Sequence, residues 1–299
     1  MKAGEHKRLP HWLRRKHSIS ELHAMKSMLR GHGLNTVCEE ARCPNKAECF
    51  SRPTATFLIL GPECTRSCSF CCVGHGRGKE MPAPDFDEPG RVAKAAREMG
   101  LRYVVVTSVT RDDLRDGGAS MFADTVKAVR YETREARVEV LVPDFKGDRD
   151  AVRTVVSAGP DVFNHNIETV PSLYPEVRPQ AEHSRSLMVL GYAKEINPDI
   201  RTKSGLMLGL GETMDEVLKT LHDLKMAGCD MVTIGQYMRP SIASIPVTEY
   251  IRPEVFDKLR DIALEMGFGS VASAPLVRSS MNAEEIYSHN RPGDMNVRV

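Results

Sequence analysis

Short runs rich in β-branched and aromatic residues alternate with longer stretches of helical periodicity from residue 55 onward, and this alternation constrains the fold most strongly. It is typical of βα units built around a parallel sheet. Six consecutive units favour a barrel or a partial barrel over an open, doubly wound sheet. The predicted strands are 55–61, 103–109, 138–143, 162–168, 204–210 and 231–236, and the predicted helices are 88–99, 119–135, 148–158, 183–196, 213–227 and 254–266.

The chain extends beyond these units on both sides. Residues 20–30 have helical periodicity and predict a short helix ended by Gly31. The apolar run 269–277 predicts either an edge strand or a segment packed across an open barrel. In parallel βα folds the loops that follow the strands form the active site, so we expect the polar motifs in those loops to meet at one mouth.

Cysteines are concentrated in a short window before and after the first predicted strand. Six of the eight lie there, as two groups of three. The 299-residue chain shows no run long and apolar enough to span a membrane and no apolar signal core, so we expect a cytoplasmic protein. Thiols stay reduced in that compartment, which favours metal ligands over disulfides. The two trios are Cys38, Cys43 and Cys49, and Cys64, Cys68 and Cys71.

The remaining cysteines, Cys72 and Cys229, are expected to be small buried residues. The formal net charge of +1 gives no general attraction to nucleic acid or to anionic membranes, so we predict neither as a partner.

The number of ligands in each trio bears on the metal. Structural zinc needs four closed ligands, whereas each trio offers three cysteines with no fourth nearby. Three thiolates on a cubane iron–sulfur cluster leave one iron able to bind something else. The spacing therefore favours an iron–sulfur cluster with an open coordination position, with zinc as the main alternative.

The second trio, written CTRSCSFC over residues 64–71, resembles the cluster motif of the radical S-adenosylmethionine superfamily, including the aromatic Phe70. The resemblance implies that Cys64, Cys68 and Cys71 hold a [4Fe–4S] cluster whose open iron binds S-adenosylmethionine, which is then cleaved to a 5′-deoxyadenosyl radical. It also implies an α/β fold in the form of a partial (β/α)6 barrel, here with N-terminal and C-terminal extensions.

The first trio, CEEARCPNKAEC over residues 38–49, is similar to the auxiliary-cluster motif of the lipoyl synthase family. The similarity continues through further blocks and spans residues 9 to 283. Those blocks are TSVTRDDLRDGGA (107–119), FNHNIETVPSLYPEVRP (163–179), KSGLMLGLGET (203–213), TIGQYMRPS (233–241) and VRSS (277–280).

Membership of this family would imply sulfur insertion at the sixth and eighth carbons of an octanoyl group, amide-linked to a lysine of a lipoyl carrier domain. The auxiliary [4Fe–4S] cluster would supply the sulfur, with Ser280 as its fourth ligand beside Cys38, Cys43 and Cys49. Ser279 and Ser280 are adjacent, so which of them binds the cluster is left open. The predicted parts are 1–54 with the auxiliary motif, 55–267 as the barrel, and 268–299 with the serine ligand.

Polar residues at strand ends are the candidates for binding S-adenosylmethionine. Asn166 and Glu168 alternate with Ile167, so we expect both side chains to point into the barrel, with His165 packed on the other side. Lys203 and Arg239 are also candidates, although each is equally compatible with a surface charge. Phe70 completes the predicted cofactor-binding set.

Two positions depart from the family pattern. Met281 stands where the family has tyrosine, and Ser244 where it has histidine, which puts the carrier or the efficiency of sulfur transfer in question.

Two other functions fit parts of the sequence. A methylthiotransferase-like radical enzyme also pairs a cysteine trio with this loop, but we expect it to carry a basic RNA-binding appendage after the barrel. A non-catalytic iron–sulfur electron carrier would need neither six βα units nor an open iron. For the sulfur-inserting enzyme we expect an octanoylated carrier, a low-potential electron donor such as flavodoxin or ferredoxin, and cluster-assembly proteins as partners.

Overall fold

The computed structural model describes residues 9–14, 20–51, 56–76 and 80–288. Parts of both predicted extensions, residues 1–8, 15–19, 52–54 and 289–299, lie outside the described residues, as does residue 55 at the start of the first predicted strand. Within the described ranges the strands are β1 (Asn35–Thr36), β2 (Thr56–Ile59), β3 (Glu63–Cys64), β4 (Gly74–His75), β5 (Tyr103–Ser108), β6 (Arg137–Leu141), β7 (Val162–Asn164), β8 (Arg201–Leu208), β9 (Met231–Gln236) and β10 (Ser270–Ser273).

None of the described helices combines the length and the apolar character needed to cross a lipid bilayer.

Helices follow most of the strands. Short 3-10 helices occur at His11–Leu13, Phe145–Gly147 and Pro171–Leu173. The α-helices are α1 (Ser20–Gly31), α2 (Val37–Glu40), α3 (Lys46–Ser51), α4 (Glu88–Glu98), α5 (Ala119–Glu132), α6 (Arg149–Ser157), α7 (Tyr174–Val177), α8 (His183–Ile196), α9 (Met214–Met226), α10 (Pro253–Glu265) and α11 (Ala283–Ser288).

One eight-stranded sheet organises the fold, in the order β1-β2-β5-β6-β7-β8-β9-β10. Its seven strands from β2 to β10 are parallel and lie side by side in chain order, whereas β1 pairs with β2 antiparallel. Because the strand order never reverses, right-handed crossovers place the helices on one face and curve the sheet around the other. The predicted partial barrel is confirmed.

The central strands are apolar because both faces of a parallel sheet are covered. In β5, Val104, Val105 and Val106 are all buried, and β9 is buried along its whole length. The amphipathic helix α6 contributes Val152 and Val155 to the same core. These packed layers fix the strand ends, and the loops that follow the strands carry the functional residues.

All six predicted strands and the six helices between and after them are present, with ends shifted by a few residues. The run 269–277 forms β10, an edge strand parallel to β9, which decides between the two alternatives for that run. The predicted strand 162–168 is too long, because β7 ends at Asn164. The chain rejoins β8 at Glu168, which has a φ of 66° and forms an isolated bridge with Leu206.

The N-cap of α6 gives a direct test of a local sequence effect. The Asp148 carboxylate accepts hydrogen bonds from the backbone N–H groups of Asp150 and Ala151, at 2.8 and 3.3 Å. We expect Asp148→Ala to lower the free energy of unfolding by about 1 kcal/mol, because those donors lose their partner. In the control Asp124→Ala, which breaks an exposed pair with Lys127, the change should stay within about 0.5 kcal/mol. Urea denaturation measures both, and equal losses would contradict the capping role.

Candidate functional site

A cavity of about 490 Å³ lies at the carboxyl ends of the parallel strands. Its wall is formed by the segments that follow β2, β5, β6, β7 and β9, whereas residues 209–212 after β8, also expected at this mouth, do not border it. All six cysteines of the two trios border it, so the fold brings together two groups separated by the whole of β2. The other predicted site residues that border the cavity are Phe70, Asn166, Glu168, Arg239 and Ser280.

The loop of the second trio is tied to its neighbours by backbone bonds. Cys64 ends β3, which pairs with β4, and its carbonyl accepts from Gly76 N–H at 3.0 Å. Ser69 donates from its N–H to the Val177 carbonyl and accepts at its own carbonyl from Ile245 N–H, both at 2.9 Å. Three other parts of the chain therefore hold the cysteine loop in place.

Arg66, between the first two cysteines of that loop, anchors it to the barrel. Its guanidinium donates to the Asp112 carboxylate at 2.7 and 3.0 Å and to the Asp144 carboxylate at 2.6 and 2.9 Å. Arg66 and Asp144 are buried. Burial opposes the charge of each, but their pairing raises the pKa of Arg66 and lowers that of Asp144 well below its usual range. Both therefore stay ionised, and the cysteine loop is fixed to the ends of β5 and β6.

The positions and the oxidation state of the cysteine thiols bear on whether they hold a [4Fe–4S] cluster or a zinc ion. Among the described residues, no three cysteine, histidine or carboxylate side chains converge closely enough to bind a single metal ion. Each trio supplies three thiols at the cavity, one fewer than the four closed ligands of structural zinc. Thiolates spread around a common cavity suit the larger [4Fe–4S] group. Cys38, Cys43, Cys64, Cys68 and Cys71 are free thiols, as ligands require.

Burial controls the ionisation of these thiols. It raises the pKa of Cys38 and of Cys71 to about 12, and it raises that of Cys68 as well, although the charge of Arg178 opposes the rise there. The thiolate forms that bind iron therefore need the positive charge of the iron itself. Of the remaining cysteines, Cys229 is fully buried as predicted, whereas Cys72 borders the cavity and is only partly buried, so the expectation for it is wrong.

Asn166 and Glu168 lie side by side at the cavity wall, although the strand predicted to carry them ends earlier. Asn166 Nδ2 donates to Glu168 Oε1 at 3.2 Å. Burial raises the pKa of Glu168, opposed by the charge of Arg178 and the bond from Asn166. His165 also borders the cavity, but its imidazole is packed as predicted: its Nδ1 donates to the Val142 carbonyl at 2.8 Å, and burial lowers the pKa of the imidazole to about 4.

Arg239 and Lys203 have different surroundings. Arg239 borders the cavity while its Nε donates to the Ser244 carbonyl at 2.8 Å, which ties down its own loop. Ser244, one of the two departures from the family pattern, is buried in that loop. Lys203 does not border the cavity, and its Nζ lies 3.0 Å from the carboxylate of Glu139, both side chains being fully buried. Its assignment as a cofactor contact stays a prediction.

The C-terminal segment reaches the first trio through Asn45. The Asn45 amide donates to the Leu276 carbonyl at 2.6 Å and to the Met281 sulfur at 3.1 Å. Met281, the other departure from the family pattern, is buried and borders the cavity beside Ser280. The serine pair is thereby held next to the loop that carries Cys43 and Cys49.

Sequence reasoning did not single out Arg178, a cation at the cavity wall. Its Nη1 donates to the carbonyls of Asn166 and Ile167 at 3.0 Å, and its buried Nε has no hydrogen-bond partner in the described structure. The buried Ser108 hydroxyl, also in the cavity wall, lacks a partner too. Unsatisfied polar groups beside carboxylate and amide side chains fit a ligand with charged amino-acid and nucleoside parts. Arg178 belongs to the block 163–179 that resembles the lipoyl synthase family. Its hydrogen bond to the Asn166 carbonyl could not be read from the sequence, because the two residues are twelve positions apart.

Comparisons with known families identify the relatives of this chain. A family model described as the Radical SAM superfamily matches residues 58–224, and one described as the N-terminal domain of lipoyl synthase matches residues 1–43. The lipoyl synthase of Rubrobacter xylanophilus is 56% identical over 92% of this chain and 84% of its own length. The lipoyl synthase of Alkaliphilus metalliredigens is 52% identical over 93% of this chain and 96% of its own.

Solved structures share the fold at low sequence identity. Methylornithine synthase matches with a TM-score of 0.56 at 14% identity, covering 88% of this chain and 87% of that one. Streptococcus suis SuiB bound to S-adenosylmethionine matches with a TM-score of 0.53 at 11% identity, covering 73% of this chain and 49% of that one. These likenesses support the partial-barrel fold.

The Arg66 anchor can be tested by its effect on stability. We expect Arg66→Ala to lower the free energy of unfolding by about 3–5 kcal/mol, because it leaves the buried Asp144 carboxylate without a compensating charge. The control Arg153→Ala breaks an exposed pair with Asp150 and should cost less than about 1 kcal/mol. Denaturation followed by circular dichroism measures both. A loss at Arg66 no larger than that at Arg153 would show that the anchor does not stabilise the fold.

Proposed function

The chain belongs to the lipoyl synthase family of radical S-adenosylmethionine enzymes, and we propose that it inserts sulfur at the sixth and eighth carbons of an octanoyl chain attached to a lysine of a lipoyl carrier domain. It is a sulfur-inserting enzyme that uses S-adenosylmethionine and [4Fe–4S] clusters. The observation that carries the proposal is the single cavity bordered by both cysteine trios and by the serine pair. A radical source and a sulfur source then face the same substrate chain.

Cys64, Cys68 and Cys71 are the proposed ligands of the radical cluster. When bound, this cluster and S-adenosylmethionine supply a radical able to remove hydrogen from unactivated carbon. The protein contributes rigidity, because Arg66 and the backbone bonds of Ser69 hold the loop against three neighbouring segments. Fixed ligands keep the reacting groups in one orientation, which lowers the entropic part of the barrier.

S-adenosylmethionine is held by Phe70, Asn166, Glu168 and Arg239 in this proposal. Arg178 joins them, since its charge lies at the same wall and its Nε lacks a partner in the described structure. The Glu168 carboxylate and the guanidinium groups of Arg178 and Arg239 at this cavity match the amino and carboxylate groups of the ligand. Lys203 supports this set through Glu139 and Asn164, which it reaches by buried hydrogen bonds.

Cys38, Cys43 and Cys49 with Ser280 are the proposed ligands of the auxiliary cluster. A serine oxygen is a harder and weaker ligand for iron than a thiolate, which suits a cluster that gives up its sulfur. Met281 in place of the family's tyrosine leaves a buried thioether near this site. Its sulfur accepts from Asn45, so the departure keeps the contact between the C-terminal segment and the first trio.

The reaction sets the partners of the enzyme. An octanoylated lipoyl carrier supplies the substrate chain, and a low-potential donor such as flavodoxin or ferredoxin supplies electrons. Because each product consumes sulfur from the auxiliary cluster, cluster-assembly proteins must rebuild it. We place the enzyme in the cytoplasm, where reducing conditions keep the thiols available. The methylthiotransferase-like and electron-carrier alternatives have no observation in their favour.

The radical half of the proposal is tested by Cys68→Ala. We expect this variant to form no 5′-deoxyadenosine above background, because a ligand of the radical cluster is removed. Liquid chromatography with mass spectrometry measures the product. The control is Cys229→Ala, which removes a buried cysteine outside the cavity and should leave iron content near about eight atoms per chain. Wild-type 5′-deoxyadenosine formation in the Cys68 variant would contradict the assignment.

The sulfur half is tested by Cys43→Ala. We expect it to keep reductive cleavage of S-adenosylmethionine and to lose sulfur insertion, because only the auxiliary cluster is affected. Mass spectrometry of an octanoyl-lysine carrier peptide measures the gain of two sulfur atoms in the wild type. A lipoyl product from the Cys43 variant would show that the first trio is not the sulfur source.

A further inference from the structure

Ser279 joins the C-terminal segment to a chain of hydrogen bonds that runs from the cavity wall into the barrel core. Its hydroxyl accepts from Asn164 Nδ2 at 2.9 Å and donates to Asn166 Oδ1 at 2.8 Å. Asn166 in turn donates to Glu168 at the cavity wall. The serine therefore connects β7 with two residues proposed to contact S-adenosylmethionine.

The far end of this chain is fixed in the barrel core. Asn164 Nδ2 also donates to Glu139 Oε1 at 2.7 Å, and Glu139 accepts from Lys203 Nζ and from the Tyr103 hydroxyl at 3.0 and 2.8 Å. Asn164 and Glu139 are fully buried, and Lys203 is 1% exposed. Breaking one link leaves a buried polar group without its partner, so the links behave as one unit.

The two serines of the pair have different surroundings. Ser279 uses its hydroxyl both as donor and as acceptor within the barrel. Both serines border the cavity, but of the two only Ser279 has its hydroxyl engaged by other described residues. The difference favours Ser280 over Ser279 as the cluster ligand, because the Ser279 hydroxyl is already hydrogen-bonded to Asn164 and Asn166.

Gly235 in β9 allows the segment to approach this closely. A Cβ atom at that position would lie 2.2 Å from the Val277 carbonyl oxygen, a distance that real side chains do not adopt. The backbone before the serine pair thus lies directly against the strand, where any larger residue would displace it. The position of Ser280 is set on one side by Gly235 and on the other by the hydroxyl of Ser279.

We propose that Ser279 is a positioning residue that couples occupation of the S-adenosylmethionine site to the placement of Ser280 on the auxiliary cluster. A ligand that binds Asn166 and Glu168 restrains the amide that accepts from Ser279, and so restrains the adjacent ligand serine. The coupling is reciprocal, so a bound Ser280 also favours binding of S-adenosylmethionine. This inference rests on the proposed function, because it assumes both cofactor sites.

The test uses the anaerobic holoenzyme and S-adenosylhomocysteine, which is not cleaved. Iron loss to a chelator is followed with and without this ligand, and its affinity is measured by equilibrium dialysis. In the wild type we expect the ligand to slow iron loss from the auxiliary cluster by about fivefold, the ratio that one net hydrogen bond supports. In Ser279→Ala we expect the ligand not to slow iron loss, and we expect the affinity for S-adenosylhomocysteine to fall by a similar factor of about fivefold. Ser280→Ala should lose this iron quickly whether or not the ligand is present.

Two further variants separate coupling from general damage. Ser279→Thr keeps a hydroxyl and should restore the ligand effect. Ser273→Ala removes the hydroxyl of a different serine, which is buried outside the cavity and donates to the Phe256 carbonyl at 2.7 Å, and this variant should behave as wild type. Equal protection in Ser279→Ala and wild type would overturn the inference, as would an equal loss in Ser273→Ala.

A different measurement tests the proposed function separately from the Ser279 coupling. A wild-type enzyme that formed no doubly sulfurated carrier peptide would refute sulfur insertion. If ligand protection of the iron still depended on Ser279 in that enzyme, the coupling would stand.

Discussion

Parallel strands laid side by side in chain order, without a reversal, force every loop that follows a strand to the same end of the sheet. The cysteine loop after β2, the polar residues after β7 and the loop after β9 are far apart in sequence and meet for this reason. The C-terminal segment is no exception, since β10 continues the same order before the chain turns to the serine pair. The shared cavity is thus a property of the topology, and the side chains only specify what it binds.

Charge is placed inside the barrel in two arrangements with different consequences. Arg66 is shared by two carboxylates at the strand ends and fixes a loop. Glu139 and Lys203 lie deeper, and their pairing orients Asn164 toward Ser279. Buried pairs of this kind contribute little net stability compared with apolar packing, because both partners lose their hydration. Their contribution here is position: each fixes the orientation of one group at the cavity wall.

The sequence predicted the strands, the helices and the convergence of the cysteines, because periodicity and strand order act along the chain. It did not predict the partners of Arg66, which lie in loops after two other strands, nor the exposure of Cys72 to the cavity. Asn166 and Glu168 face the same wall as expected, yet through a break after β7 instead of a continuous strand. The separate surroundings of Ser279 and Ser280 depend on side chains more than a hundred positions away, which no local pattern encodes.

The contact of Asn45 with Leu276 joins residues 231 positions apart, and it bears on the order in which the chain can fold during synthesis. Among the described residues, the backbone bonds that hold the loop of the second trio reach no further along the chain than Ile245, so they can form before the final strand emerges from the ribosome. The first trio is synthesised early, but the contacts of its loop with Leu276 and Met281 can form only after the C-terminal segment has been synthesised. The backbone framework of one proposed cluster site can therefore form as the barrel grows, while the other proposed site needs nearly the whole polypeptide.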